Sequence, residues 1–438
     1  MIRNRVYGAL LRLKGSSPHR EYDQVRQALA GEAPLQICRD YLGLVLHHAY
    51  RSVPYYTRAL SPIWSEDGLG PGQFERIPIL TKSIMRQSQT DLISKDIDQR
   101  KWHYNTSGGS TGEPVRFIQD KVSDKWTSLT TKYYYKEIIG IDELAVRKVL
   151  VWGSEREILN HKLALRSRIL DWLTNTTSLN SFRMSQADIE KCIRVMNARK
   201  PDLIRGYADS LCQISRYIAK RGLNVHSPKV VVSAAEKLGK DRRQTIEAAL
   251  GTQVYDFYGS REVDGIAGEC NCRMMHLFMF NNYIEVQPEH NSSEMGRVLV
   301  TTLHNYSMPL IRYDIGDTAT LGPVRCKCGN PLPTLAEVTG RVSDHFLTDD
   351  GTLIHGEYFT HLFYFRDWVR SFQVIQEDRR RVRILAVVEN PDQGEMDDIS
   401  EKIRLVMGRQ CDVIWEIVDD IPKSSSGKRS YTKSLVSQ

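Results

Sequence analysis

The sequence lacks any apolar run long enough to cross a membrane, so we expect no transmembrane helix. Crossing a bilayer takes about 20 consecutive apolar residues, whereas the longest apolar stretches, at 41–46 and 384–388, are the length of a strand. Residues 1–14 carry Arg3, Arg5 and Arg12, but their apolar stretch is short and interrupted, so no secretion signal is expected either. Together these absences predict a cytoplasmic protein.

The sequence also has little excess charge and no repeats or low-complexity tracts. Its 60 basic and 53 acidic side chains give a net charge of +7, which is small for 438 residues and does not by itself imply a nucleic-acid partner. The 41% of apolar and 26% of charged residues are typical of a folded globular chain. Because 438 residues exceed one ordinary core, we expect two or more domains.

Cysteine is scarce, and its spacing favours metal binding over disulfides. Eight cysteines in a chain of this length do not indicate a disulfide framework. Four of them form two Cys-x-Cys pairs, and His276 lies between the pairs. Cys270, His276, Cys326 and Cys328 would complete a closed, structural zinc site, with Cys272 as an alternative ligand. Buried free thiols are the competing interpretation.

The chain alternates strand-like and helical patterns over much of its length. Residues 22–50 have a helical pattern, and a helix is predicted after the cap residue Thr81. From about residue 145, strands alternate with helices, which predicts an α/β fold. Residues 276–322 predict a small β-subdomain. We place the domain boundary near 340–344, which gives a large N-terminal α/β domain, 1–340, and a small α+β C-terminal domain, 341–438.

A glycine-rich segment, 105–114, has the composition of a phosphate-binding loop. Its three glycines allow tight turns that can point backbone amides into one concavity, and its hydroxyls add donors. It is not a Walker loop, because no Lys-Ser/Thr follows Gly112. Taken alone, a solvated flexible loop is an equal alternative.

Two further segments, 233–236 and 256–262, follow predicted strands. Open α/β sheets bind ligands at such positions. Tyr258 could stack on a flat ring, Asp256 could accept a hydrogen bond from an exocyclic amine, and Glu262 could hold Mg²⁺ through oxygen. Taken singly, each has a structural alternative, such as a core aromatic for Tyr258 and a surface charge for Glu262.

Three more segments, 310–317, 340–344 and 421–429, complete an ordered series of six. By composition, the last is a basic tail. In this order and spacing the six segments resemble the adenylate-forming superfamily of acyl-CoA ligases, luciferases and peptide-synthetase adenylation domains. The likeness is to its phenylacetate–CoA ligase-like enzymes, and among these to the capsular-polysaccharide-biosynthesis relatives. It extends over residues 40–430 and includes 76–82 and 200–207.

The resemblance implies ATP and Mg²⁺ as cofactors and coenzyme A as a co-substrate. Glu262 would carry Mg²⁺ and act in catalysis, and Asp317 would accept from the ribose hydroxyls. Lys428, on a mobile C-terminal domain, would reach the α-phosphate during adenylation. The ATP-binding residues implied are Thr106, Ser107, Gly108, Gly109, Ser110, Thr111, Gly112, Ala235, Glu236, Asp256, Phe257, Tyr258, Gly259, Ser260, Arg261, Asp317 and Arg341.

The sequence departs from the family pattern at three positions. Glu113 stands where many relatives have Lys, and Arg261 stands where Ser or Thr usually precedes the Mg²⁺-binding Glu. Ser343 stands at the usual hinge aspartate, with Asp344 next. The second half-reaction depends on domain rotation about this hinge. The departure at Ser343 therefore leaves open whether that half-reaction takes place.

An acyl pocket is predicted from position in such folds. Aromatic lining suits an aryl or planar acid, and Arg205 could pair with a carboxylate. Each candidate could instead serve core packing. His355 has no comparable partner and is predicted to be a packing or surface residue. The candidate acyl-binding residues are Tyr134, Trp152, Gly153, Ser154, Arg205 and Tyr207.

The predicted function is ATP-dependent activation of a carboxylic acid to an acyl-adenylate with release of pyrophosphate, then acyl transfer to coenzyme A. The alternative is an amide ligase that uses an amine or amino sugar in polysaccharide or natural-product biosynthesis. A zinc-dependent nucleic-acid-binding protein is more distant, because the arginine run at 378–381 has the pattern of a hairpin turn. The sequence does not fix the oligomeric state, and a homodimer stays open.

Overall fold

The chain divides into two compact units in this structure, a computed structural model. The first unit comprises Met1–Asn105, Val115–Glu143 and Tyr255–Gly340, and the second comprises Thr106–Pro114, Leu144–Val254 and Arg341–Gln438. The predicted division into 1–340 and 341–438 stays a prediction. The residues described are 19–31, 33, 35–66, 68–70, 72–107, 115–153, 171–288, 295–339, 345–366, 368–421 and 431–436.

Helices dominate the first hundred described residues and recur between strands later. None of the helices in the described part of the chain combines the length and apolarity that a bilayer span requires. Short 3₁₀ turns lie at Phe74–Arg76 and Ile97–Gln99, and a π-helix lies at Tyr134–Ile139. The helices are α1 (His19–Leu29), α2 (Gln36–Ser52), α3 (Pro54–Leu60), α4 (Lys82–Gln87), α5 (Lys121–Tyr133), α6 (Gln186–Arg199), α7 (Ala208–Arg221), α8 (Lys240–Leu250), α9 (Gly356–His361) and α10 (Gln393–Met407).

Strands occur in both units. They are β1 (Trp64–Ser65), β2 (Gly68–Leu69), β3 (Trp102–Thr106), β4 (Arg116–Asp120), β5 (Lys148–Trp152), β6 (Thr176–Asn180), β7 (Arg183–Met184), β8 (Leu203–Tyr207), β9 (Val230–Ala234), β10 (Val254–Ser260), β11 (Asp264–Glu269), β12 (Met275–Leu277), β13 (Asn282–Pro288), β14 (Met295–Thr302), β15 (Tyr313–Leu321), β16 (Thr334–Thr339), β17 (His345–Leu347), β18 (Leu353–His355), β19 (Val369–Asp378), β20 (Arg381–Val388), β21 (Asp412–Ile417) and β22 (Thr432–Ser434).

In the first unit the strands follow the order β13-β14-β15-β16-β12-β11-β10, and neighbouring strands are antiparallel. The strands in the β-rich stretch predicted at 276–322 thus belong to the same run of antiparallel strands as β10 and β11. Helix α5 starts at Asp120, whose carboxylate accepts hydrogen bonds from its own first turn and from the amides of Tyr306 and Ser307. One side chain therefore caps the helix and fixes the loop before β15.

In the second unit the strands β9-β8-β5-β6 are parallel. Strands joined through helices run parallel because the chain must cross back between them. Helices α6, α7 and α8 bury an apolar core with these strands, which includes Val149, Val231, Met196, Leu211 and Ile246. The alternation predicted from about residue 145 is confirmed, and the α/β fold class with it.

The C-terminal part of the second unit has its own sheet, of order β21-β20-β19-β22. Strands β19 and β20 form a hairpin whose turn holds Arg379 and Arg380, as the sequence predicted, and Arg380 forms an ion pair with Asp349. Strand β18 pairs with β7, where Leu353 lies opposite Met184. This pairing ties the C-terminal part to the parallel-strand part of the same unit.

Candidate functional site

The first unit joins two of the predicted nucleotide residues by a hydrogen bond. The Tyr258 hydroxyl, at the end of β10, donates to Oδ2 of Asp317 on β15 over 2.9 Å. A β-bulge follows between Tyr258 and Gly259. Position 259 requires glycine, because a Cβ there would lie 2.4 Å from the carbonyl oxygen of Asp264. The bulge changes the direction of the strand next to Tyr258.

The predicted Mg²⁺ ligand, Glu262, is buried and already has a cationic partner. Its Oε1 lies 3.6 Å from Nζ of Lys82 and accepts from the Tyr313 hydroxyl at 3.2 Å. The side chains of Lys82 and Glu262 are 8% and 5% exposed. Lys82 opens α4 directly after Thr81, whose hydroxyl caps the helix by accepting from the amide of Ile84. Lys82 thus places a positive charge beside this buried carboxylate, whose oxygens are the ligand atoms that Mg²⁺ prefers.

Arg261, one of the departures from the family pattern, belongs to a three-residue network at the base of the glycine-rich segment. Its guanidinium donates to Oδ1 of Asn105 at 2.9 Å, and the Asn105 amide donates to Gln119 at 2.8 Å. The Gln119 amide in turn donates to the carbonyl oxygen of Arg261 at 3.1 Å. The backbone amide of Glu262 reaches Oγ of Ser260 at 3.3 Å. The loop before Glu262 is thus tied to both β3 and β4.

Asp256 and Phe257 are held by the interior of the first unit. The backbone amide of Asp256 donates to the buried carboxylate of Glu269 at 2.7 Å. The Phe257 ring lies edge-on against Tyr134, with 5.2 Å between centroids. Tyr134, an acyl-site candidate, is fully buried and also contacts Phe278. Its ring therefore serves packing in this structure, and its role in acyl binding stays a prediction.

Several predicted site residues lie outside the described residues. Thr106 and Ser107, which open the glycine-rich segment, are described and are both buried. The predicted site residues outside the described ranges are Gly108, Gly109, Ser110, Thr111, Gly112, Ser154, Arg341 and Lys428.

The second unit contains the segment predicted to frame adenine. Ala235 follows β9 with φ +69°, a left-handed conformation that is uncommon for a residue with a Cβ. The Glu236 carboxylate is buried, accepts from the backbone amide of Asp209 at 3.1 Å and lies 3.1 Å from Nε2 of His355. His355 is buried, which agrees with the packing interpretation, but its contact with Glu236 was not predicted and arises because the fold brings β18 against this loop.

The other acyl-site candidates in the second unit form an aromatic stack. The rings of Trp152 and Tyr207 are 4.4 Å apart, and the Arg205 guanidinium lies 5.7 Å from the Trp152 ring centroid. Phe182 passes so close to Gly153 that a Cβ there would lie 2.0 Å from the ring. Burial raises the pKa of Tyr207 above its usual value of 10.0, so its hydroxyl stays protonated.

The first unit assembles the predicted zinc ligands into one cluster. The ligand atoms of Cys270, His276, Cys326 and Cys328 all lie within 4.8 Å of one another. The Cys270 and Cys326 sulfurs are 3.7 Å apart. Tetrahedral zinc with bonds of about 2.3 Å places two sulfurs about 3.8 Å apart, so the geometry fits this metal. Cys272, the alternative ligand, lies outside the cluster, and its backbone amide donates to the Cys270 sulfur at 3.4 Å.

The imidazole in the cluster is oriented for metal binding. Nδ1 of His276 donates to the carbonyl oxygen of Leu332 at 3.1 Å, which turns Nε2 to within 3.1 Å of the Cys328 sulfur. Burial lowers the pKa of His276 below its usual 6.5, although the bond to Leu332 opposes this shift. The ring is therefore held neutral, the form that binds metal.

Known proteins resemble this chain over most of its length. The family described as the CapK C-terminal domain matches residues 346–434. Protein CapK of Staphylococcus aureus is 22% identical over 370 residues, which cover 81% of this chain and 79% of CapK. A phenylacetate–coenzyme A ligase of Aromatoleum evansii is 23% identical over 317 residues, which cover 68% of each chain.

Solved structures show the same fold. An open conformation of 2-hydroxyisobutyryl-CoA ligase, in complex with its adenylate and CoA, aligns with a TM-score of 0.55 and 15% identity. The alignment covers 92% of both chains. At this identity the likeness concerns the fold alone.

Proposed function

The chain belongs to the adenylate-forming superfamily, in its phenylacetate–CoA ligase-like branch near CapK, and we propose that it activates a carboxylic acid with ATP and passes the acyl group to coenzyme A. Membership confirms the resemblance inferred from the six motifs, and it makes the chain an enzyme. The identities of the acid and of the acceptor are the more specific claims of this proposal.

The proposed reaction has two steps. A carboxylate oxygen of the acid bonds to the α-phosphorus of ATP, the bond to the bridging oxygen breaks, and pyrophosphate leaves. The sulfur of coenzyme A then bonds to the acyl carbon, AMP leaves with the carboxyl-derived oxygen, and the thiol proton is released. The first step brings anions together, so fixed cations must offset the charge that develops at the phosphates.

The observation that carries the proposal is the contact of β10 and its following loop with β15 in the first unit. Tyr258 hydrogen-bonds Asp317, the proposed ribose acceptor, and Glu262 hydrogen-bonds Tyr313 on the same strand. A sugar-binding carboxylate and a metal-binding carboxylate thus share one supporting strand. Glu262 would hold Mg²⁺ through a hard oxygen ligand, and the bound ion would neutralise phosphate charge.

We expect acid-dependent exchange of pyrophosphate into ATP when the protein is given Mg²⁺ and a broad panel of carboxylic acids. This exchange reports the first step alone, because the adenylate forms reversibly before any acceptor is needed. Mass spectrometry of the adenylates would identify the acid. Well-folded protein that supports no exchange with any acid of the panel would contradict the proposal.

The acceptor is tested separately, by adding coenzyme A or candidate amines to protein that has formed the adenylate. Coenzyme A should speed AMP release and appear in a thioester that neutral hydroxylamine cleaves. An amine acceptor would instead leave a hydroxylamine-resistant amide. If coenzyme A neither speeds AMP release nor enters a product, the thioester step is wrong and only adenylation remains.

Lys428→Ala should slow pyrophosphate exchange by about 100–1000-fold, the usual loss when one preorganised group is removed from a charged transition state. The proposed role of Lys428 is to neutralise charge at the α-phosphate. Lys423→Ala, which removes a second lysine from the same segment, is the matched control and should exchange at nearly the wild-type rate. Equal rates for the Lys428 variant and the wild type would remove Lys428 from the mechanism.

A further inference from the structure

His355, which the proposed chemistry does not use, forms a buried pair with Glu236 of the predicted adenine loop. Oε1 of Glu236 lies 3.1 Å from Nε2 of His355, and the two side chains are 2% and 1% exposed. A buried carboxylate is costly unless a donor satisfies it. The two residues come from different parts of the second unit, the loop after β9 and the start of α9.

The surroundings of His355 fix where its proton lies. Its Nδ1 accepts from the backbone amide of Glu357, which caps α9, so the ring proton is carried on Nε2. Its own backbone amide donates to the carbonyl oxygen of Phe182 at 3.0 Å, and its ring lies 4.7 Å from that of Tyr207. The imidazole is thus held with its protonated Nε2 3.1 Å from the Glu236 carboxylate.

The Glu236 carboxylate anchors a strained loop. One oxygen accepts from the backbone amide of Asp209 at the start of α7, and the other faces His355. The preceding residue, Ala235, has φ +69°. A conformation of this kind persists only where the surrounding structure holds it, and such positions concentrate at ligand sites. One carboxylate oxygen is hydrogen-bonded to Asp209 and the other is in contact with His355, and together these contacts hold the residue next to Ala235 in place.

We propose that His355 is a positioning residue for the adenine nucleotide, which holds the 235–236 loop in its binding conformation through Glu236. The inference rests on the proposed function, in which this loop frames adenine. Because the same imidazole caps α9, it links the nucleotide loop to the C-terminal part of the second unit. Linkage is reciprocal, so nucleotide binding must also stabilise β18 and α9.

Hydrogen exchange on the wild-type chain, with and without AMP, tests the link. AMP should slow amide exchange at 230–236 and also at 353–361. Slower exchange at 230–236 with no change at 353–361 would overturn the inference and leave the proposed function intact. A chain that binds no AMP by calorimetry would overturn both.

Variants test the residue itself. His355→Ala should weaken AMP binding and raise the KM for ATP by at least about fivefold, the low end of coupling between linked sites, with kcat nearly unchanged. His355→Gln should restore most of the affinity, because its amide can donate to Glu236. His361→Ala, which removes an imidazole from the other end of α9, is the matched control and should bind AMP as the wild type does.

The variant outcomes are decisive in each direction. AMP affinity of a folded His355→Ala chain within twofold of wild type would overturn the assignment. A fall in kcat with an unchanged KM for ATP would also overturn it, because that pattern indicates a role outside nucleotide positioning. If His355→Ala does not fold, His355→Gln and the wild-type exchange experiment decide.

Discussion

Replacing Lys82 with methionine should lower the free energy of unfolding by about 3–5 kcal/mol, the usual cost of removing one partner of a buried ion pair. The Lys82 ammonium lies 3.6 Å from the Glu262 carboxylate, and both side chains are almost fully buried. Methionine keeps much of the volume of lysine but supplies no charge. Glu262 would then be buried without the Lys82 charge, and the Tyr313 hydroxyl at 3.2 Å is a neutral donor.

Urea denaturation of wild-type and variant chains measures the effect. The double variant Lys82→Met/Glu262→Leu should recover most of the lost stability, because it removes the uncompensated charge together with its partner. Lys121→Met, which breaks the exposed pair with Asp124, is the control and should change stability by about 1 kcal/mol or less. A Lys82→Met chain as stable as this control would mean that Lys82 does not stabilise Glu262.

Local signals in the sequence were sufficient for much of the fold. Strand β8 lies in the region where strands were predicted to alternate with helices, and the helix predicted after Thr81 starts where its hydroxyl caps the first turn. Helix α8, in the same alternating region, ends at Gly251, which has φ +64°. Caps and left-handed glycines act within a few residues, so they can be read without knowing the tertiary structure. The predicted helical stretch 22–50 is instead divided between α1 and α2.

The partners of the site residues could not be read in this way. Lys82 comes early in the chain and Glu262 late, and Arg261 meets Asn105 only because the strands that carry them are brought together. His355 had no neighbouring signal at all, since its partner Glu236 lies on another element of the fold. The one available sign for Lys82 was a cation two residues after the apolar run 77–80. Such a position indicates a buried charge, but not what it pairs with.

The cysteine cluster was partly visible as a local sequence pattern and is completed only by contacts that the fold makes. The two Cys-x-Cys pairs were visible in the sequence, and the fold brings three of their four cysteines together with His276. The chain turns sharply at the second pair, where Gly329 has φ +83° and its amide donates to the carbonyl oxygen of Cys326. This turn allows Cys326 and Cys328 to face one point, as a shared metal ligand set requires.

We expect one zinc ion per chain, and Cys326→Ser should lose metal and stability together. A structural site that forms only on folding converts its binding free energy into folding free energy, about 10–16 kcal/mol for zinc-finger peptides at pH 7. That is as large as the whole stability of a typical native domain, about 5–15 kcal/mol. Removing a ligand should therefore unfold at least the part of the first unit around β12, which carries His276, and its neighbouring strand β16.

Metal analysis of purified protein and thermal unfolding with and without a chelator measure the two effects. Cys272→Ser, beside the cluster, should keep its zinc, and a loss of metal there would make Cys272 the fourth ligand instead. Cys38→Ser, at a buried cysteine elsewhere in the first unit, shows the cost of the substitution without metal. Because serine cannot supply a thiolate, only the Cys326 variant should lose both zinc and its sensitivity to the chelator. Zinc-free wild-type protein with unchanged unfolding would mean that the four side chains are packed thiols and an imidazole rather than a metal site.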